Sequence, residues 1–229
     1  MYNSYDEFHP QGTNVIKHIA IIPDGGRRWA KSNGYTYYMA YKRMCMNLYE
    51  YCKNIYSRGV DVISLYFSST QNFRRVSEEI DAFCKAETEF LNEYAKEISK
   101  QYKVNVIIVG KREGLPDYMM AAIKHMPPIQ TINRRKLYIC INYNPHYEIE
   151  KAVIKAKEKD DLYINYLDVK EPVDIMIRTG GANVTSNFLM PQLGFARLFF
   201  LDKLFNDITM CEIDSVLNDY IKYELKYGN

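Results

Sequence analysis

A chain of 229 residues, 47% hydrophobic and 25% charged, is long enough to bury one sizeable core, and no linker-like stretch divides it. The formal net charge of +2 gives no general electrostatic case for nucleic-acid or anionic-membrane binding. No run approaches the roughly 20 apolar residues of a membrane helix. The five cysteines are scattered, without a CxxC pair, and read as buried thiols of a reducing compartment, so the expected location is cytoplasmic. Residues 1–15 lack the apolar core and basic start of a signal peptide. They read as a mobile extension ahead of one domain over 16–229.

In chain order, the first predicted strand is HIAIIP (18–23), running straight into DGGRRWAK. Gly25 and Gly26 let bare backbone approach a ligand, and a helix starting here would offer unpaired N–H groups. Arg27 and Arg28 add forked donors suited to phosphate oxygens. Asp24 would repel a phosphate unless a divalent ion such as Mg²⁺ bridged them. The stretch reads equally as an Asp-Gly turn with surface arginines. A helix is predicted over 39–57, ending at Gly59. The second strand, VDVISLYF (60–67), leads into SSTQNFRRVSEE, which sets Ser69, Asn72, Arg74 and Arg75 ahead of a helix over 77–101. Ser77 suits its N-cap, and the acids that follow suit its dipole. A plain polar cap explains these residues but not the paired arginines.

Strands follow at VNVIIVG (104–110) and KLYICINY (136–143), with weaker helices over 115–125 and 147–159. VDIMIR (173–178) ends in Arg178 and leads into TGGANVTSNF, where Ser186 precedes a helix predicted over 187–195. A Gly-Gly turn is the plainer reading of that stretch. A sixth strand, RLFFLD (197–202), and an amphipathic helix over 211–226 close the chain. Strand–helix alternation with nearly continuous apolar strands predicts an α/β domain with one central, mostly parallel six-stranded sheet flanked by helices. Ligands of such sheets gather at the carboxyl ends of the strands. Three strand ends rich in arginine, hydroxyl and bare backbone predict two anionic groups bound side by side. His18, His125 and His146 read as structural.

From about residue 18 to the C-terminus the chain resembles the cis-prenyltransferase (undecaprenyl-diphosphate-synthase-like) family. The family's first signature, roughly H-x-A-I-I-M-D-G-N-G-R-W-A, stands as HIAIIPDGGRRWAK. Its second, near F-S-x-E-N-W-x-R-P-x-x-E-V, stands as SSTQNFRRVSEEI. INYGGRxEI stands as INYNPHYEI, and D-L-x-I-R-T-x-G-E-x-R-x-S-N-F as DIMIRTGGANVTSNF. The resemblance implies a magnesium-dependent enzyme that ionises an allylic diphosphate and lets the double bond of a second five-carbon unit attack. By match, Asp24 would hold Mg²⁺ on the allylic diphosphate, with Gly25, Gly26, Arg27 and Arg28 around its phosphates and Arg75 assisting. Trp29 and Phe73 belong to the same substrate-binding stretches. Ser69 and Asn72 would line the reacting end, Arg178 and Ser186 would bind the second diphosphate, and apolar residues of helix 77–101 would wall a hydrocarbon tunnel or serve as ordinary core. The resemblance also implies a homodimer, with Lys226 and Gly228 of the ELKYGN ending reaching a neighbouring subunit's site.

Departures from the family pattern narrow the reaction. The asparagine of D-G-N-G-R is Gly26 and the next glycine is Arg27. The usual histidine of the following helix is Tyr41, and an upstream arginine is Tyr37. In the last block Ala182 replaces a glutamate and Val184 an arginine. Arg197 replaces the metal-associated glutamate near the sixth strand, and would either bind an anion or expel a metal. PDGGRRW, Tyr41 and RTGGA resemble the lavandulyl- and cyclolavandulyl-diphosphate-synthase-like branch, although that branch keeps the arginine at 184. The expectation is a head-to-middle coupling of two C5 units to a short, optionally cyclised product, with Tyr41 or released pyrophosphate taking the final proton. Head-to-tail elongation with isopentenyl diphosphate, a terpene cyclase on the same fold, and a non-catalytic partner subunit are the rivals.

Overall fold

Each of the six apolar runs becomes a strand in the computed structural model, which describes residues 15–222. The strands are β1 (His18–Ile22), β2 (Val62–Tyr66), β3 (Val104–Val109), β4 (Arg135–Cys140), β5 (Ile175–Arg178) and β6 (Arg197–Phe200). They form one sheet in the order β3-β4-β2-β1-β5-β6. Every neighbouring pair is parallel, so the sheet is parallel throughout. The helices are α1 (Gly26–Asn33), α2 (Tyr37–Ser57), α3 (Ser77–Phe90), α4 (Lys96–Tyr102), α5 (Asp117–Lys124), α6 (Pro145–Lys159) and α7 (Met210–Ile221). A wider, π-type turn at Leu91–Ala95 joins α3 to α4, which makes the predicted helix of 77–101 one nearly continuous rod.

Side-chain alternation along the strands splits the core into two layers. Ile19, Ile21, Ile63, Leu65, Ile175 and Ile177 face a large cluster shared with α2, α3, α5 and α7. Ala20, Ile22, Tyr138, Cys140 and Met176 face the other way, against Val169, Phe188 and Leu189. α6 belongs to this second side, because its buried Glu148 accepts from the Tyr143 hydroxyl and the Val169 N–H. Both faces of the sheet are covered, which is why the strands lack a polar stripe.

Local chemistry sets the helix ends. Thr36 caps α2 by accepting from Met39 N, Asn144 caps α6 ahead of Pro145, and Thr209 and Glu212 form a capping box on α7. Two expectations are corrected. Val76, extended and without a side-chain cap, precedes α3, and Ser77 is its first helical residue. No α-helix covers 187–195. Ser186, Asn187 and Leu189 take positive φ values of 49°, 59° and 48°, and only a short 3₁₀ turn forms at Met190–Gln192. Apart from Val15, the N-terminal extension lies outside the described residues. Among the described residues no helix is long and apolar enough to cross a membrane.

Candidate functional site

The carboxyl ends of β1, β2, β4 and β5 open onto one cavity of about 760 Å³. It sits beside β1, where the chain winds outward to β2 on one side and β5 lies on the other. That is the position at which doubly wound sheets leave a crevice.

One corner is built on Asp24. Its Oδ2 accepts from Arg178 Nη2 at 2.9 Å, and its Oδ1 lies 3.5 Å from Arg28 Nη2. Thr179 clamps the backbone, with its hydroxyl donating to Asp24 O at 2.9 Å and accepting from Asp24 N at 3.0 Å. Gly25 then takes φ 110°, and a Cβ there would stand 2.8 Å from Leu204 Cδ2. This turn lets α1 begin at Gly26, so that its first residues line the cavity. Arg178 is buried. Nη1 donates to Val184 O at 2.8 Å and Ser186 Oγ at 2.6 Å, while its buried Nε finds no acceptor among the described residues. A buried guanidinium with a spare donor suits an anionic ligand.

A second cluster turns on Glu79, a residue the sequence reading treated only as a first-turn acid. Its carboxylate is 3% exposed. It accepts from Arg75 Nη1 at 2.5 Å and from the Tyr41 hydroxyl at 3.0 Å. Arg27 Nε lies 3.4 Å away. Burial first, then the Glu79 charge, drives the Tyr41 hydroxyl well above the usual phenol range. The Tyr41 hydroxyl therefore keeps its proton and donates a hydrogen bond to Glu79, an arrangement unsuited to a base.

Ser69 and Asn72 form a tight turn after β2. Asn72 Oδ1 accepts from Ser69 N at 2.6 Å and from Ser69 Oγ at 2.9 Å. Tyr37, Tyr41, Met44, Phe67 and Phe83, all packed with the first core cluster, give the lining an apolar part, and Tyr66 joins it from the second. Phe67 packs edge-on against the fully buried Phe90, with ring centroids 4.9 Å apart. Of the predicted tunnel wall on α3, Phe83 lines the cavity while Ala82, Cys84, Ala86 and Phe90 are core.

Asp24, Gly25, Gly26, Arg27, Arg28, Tyr41, Ser69, Asn72, Arg75, Arg178 and Ser186 are thus brought together. Three predicted residues stand apart from the lining. Trp29 stacks on Tyr35 and donates to Asp207 Oδ1 at 2.7 Å. Phe73 packs edge-on to Phe83 behind the wall. Arg197 begins β6 at the far end of the sheet, over the Phe199 ring and donating to Asp219 O. Lys226 and Gly228 lie outside the described residues. Lys31 and His146 line the cavity without having been singled out for it.

Asp24 supplies the carboxylate of the lining, and among the described residues no three His, Cys, Asp or Glu side chains gather as a metal cage. That donor set fits a magnesium ion which takes one carboxylate and draws its other ligands from substrate phosphates and water.

A sequence model of the family described as putative undecaprenyl diphosphate synthase matches residues 22–228. The isoprenyl transferase of Treponema denticola is 31% identical over 95% of this chain and 99% of its own. A chloroplastic nerylneryl diphosphate synthase of Solanum lycopersicum is 30% identical over 93% of this chain and 71% of its own. The crystal structure of lavandulyl diphosphate synthase from Lavandula x intermedia, in complex with dimethylallyl diphosphate, superposes with a TM-score of 0.86 at 26% identity, covering 94% of this chain and 99% of that one.

Proposed function

Since the chain belongs to the undecaprenyl diphosphate synthase family and is a prenyltransferase, we propose that it joins dimethylallyl diphosphate to a second C5 prenyl diphosphate by head-to-middle coupling, giving a short branched prenyl diphosphate. The observation that carries this reading is the bulky apolar part of the cavity lining, Met44, Phe67 and Phe83, with Phe90 packed edge-on against Phe67. Large side chains at these positions favour short prenyl chains over long ones. The likeness to the lavandulyl enzyme supports the same choice.

In the reaction, the C–O bond of the allylic diphosphate breaks and pyrophosphate departs with the electron pair. The double bond of the second unit attacks the allylic carbon, and the coupled cation loses a proton. Arg27, Arg28 and Arg75 would meet the departing charge, and the contacts of Arg27 and Arg75 with Glu79 would hold them so that little reorganisation is needed as the bond breaks. Asp24 would hold magnesium, which when bound neutralises diphosphate charge. Arg178 and Ser186 would hold the second diphosphate. The aromatic wall excludes water from the cation.

Head-to-tail elongation by isopentenyl diphosphate is the second reading, favoured by the relatives named as isoprenyl transferase and nerylneryl diphosphate synthase. Incubation with dimethylallyl diphosphate, with and without isopentenyl diphosphate, followed by mass spectrometry separates the two. A branched C10 diphosphate from dimethylallyl diphosphate alone supports head-to-middle coupling. Product formed only when isopentenyl diphosphate is present overturns it.

A further inference from the structure

Any prenyl coupling ends with the loss of a proton, and the cavity lining holds few groups able to take one. Asp24 is occupied by Arg28 and Arg178. The hydroxyls of Tyr41 and Tyr143 donate to Glu79 and Glu148. Apart from one histidine, the other ionisable side chains in the lining are guanidinium, ammonium or phenol groups, which offer no basic lone pair near neutral pH. We propose that His146 is the catalytic base that takes this proton. The inference rests on the reading of the chain as a coupling prenyltransferase.

Two features place the imidazole. Asn144 accepts from His146 N at 2.9 Å, and Pro145 opens α6, so His146 stands on the first rigid turn of a helix. The start of that helix is tied to the turn after β2. Asn144 Nδ2 lies 3.4 Å from Thr70 Oγ1, Thr70 N donates to Tyr143 O at 3.1 Å, and Ser69 bridges Tyr143. β2 lies between β1 and β4, so the ends of β1 and β4 are about 10 Å apart. The arginines of the lining come from the β1, β2 and β5 sides. The β4 side adds Asn144 and His146 to the lining and contributes no guanidinium group to it. There the C–H bond breaks, its electron pair forms the product alkene, and the proton moves to the unprotonated ring nitrogen. The imidazolium later returns it to solvent.

The test compares wild type with His146→Ala and His146→Gln on whichever prenyl diphosphate pair wild type turns over. Because that pair is chosen by activity, the test stands even if head-to-middle coupling is the wrong reading. The ring is exposed, so both variants are expected to keep the wild-type melting temperature. Single-turnover rates should fall about 10²- to 10⁴-fold, with KM for each diphosphate within about 3-fold of wild type. Added imidazole should restore part of the rate to His146→Ala and none to His146→Gln, where the larger side chain fills the space. Unchanged rates, which would leave pyrophosphate as the base, overturn the proposal. So does a raised KM at unchanged rate, which would make His146 a diphosphate contact, or a lost rate that imidazole does not restore.

Discussion

Glu79 shows how much one buried carboxylate can organise. Three donors from α1, α2 and the turn before α3 meet on it, so two arginines of the cavity lining are held in place without any ligand. Replacing it by Gln keeps the shape and removes the charge, and kcat/KM for the allylic diphosphate should fall about 10²-fold. Steady-state kinetics beside a melting curve will separate this from unfolding. Glu87 is a different case. It is fully buried beneath Ser68, whose hydroxyl lies 3.2 Å from its Oε2, while Oε1 has no partner among the described residues. Burial raises its pKa to about 8. Below the unfolded carboxyl's pKa both states carry the proton and Glu87 costs nothing. Between that value and about 8 the unfolded chain has released a proton that the folded chain keeps. Stability therefore falls as pH rises, by at most about 1.4 kcal/mol per pH unit. Glu87→Gln should flatten that slope in denaturant titrations run from pH 5 to 8. Neither residue was legible in the sequence, where a glutamate in a helix reads as solvated and only packing reveals it as buried. His146 escaped for the same reason, since a lone histidine carries no signal until the fold sets it against a cavity.

At the scale of elements, the strands were readable because a parallel sheet covered on both faces demands unbroken apolar runs. The start of α1 was readable too, because two glycines after a strand leave few other conformations. Gly25 bears this out with its φ of 110° and the nearness of Leu204. Gly25→Ala should cost about 1–3 kcal/mol from backbone strain alone. For a chain of this size a melting curve should shift downward by about 2–4 °C for each kcal/mol. The stretch 187–195 was misread as helical. Its apolar residues do serve the core, with Phe188 stacked on Tyr66 at 4.5 Å. They reach it through left-handed residues at 186, 187 and 189, which sequence periodicity does not register. The same irregular backbone delivers the Ser186 hydroxyl and the Val184 carbonyl to Arg178.

Across the whole molecule, four strand ends meet at one cavity, and four motifs far apart in sequence converge on it. The composition of the cavity's apolar lining was not legible. It depends on which α3 side chain points inward, and Phe83 does so while its neighbours complete the core. Phe83→Ala should deepen the slot and raise kcat/KM for geranyl diphosphate relative to dimethylallyl diphosphate by about 10-fold or more. Competition between the two allylic substrates, read by product mass, measures this directly, and an unchanged ratio would mean that another side chain sets the limit.

The contact between Asp24 and Arg178 reaches beyond either residue. Because the acid and the guanidinium already neutralise each other, a cation drawn to one and an anion drawn to the other do not fill empty places but trade partners with the protein. Each newcomer liberates the group the other needs. Occupancy of the two halves should therefore rise together, and an excess of either ion alone should bind more weakly than the matched pair.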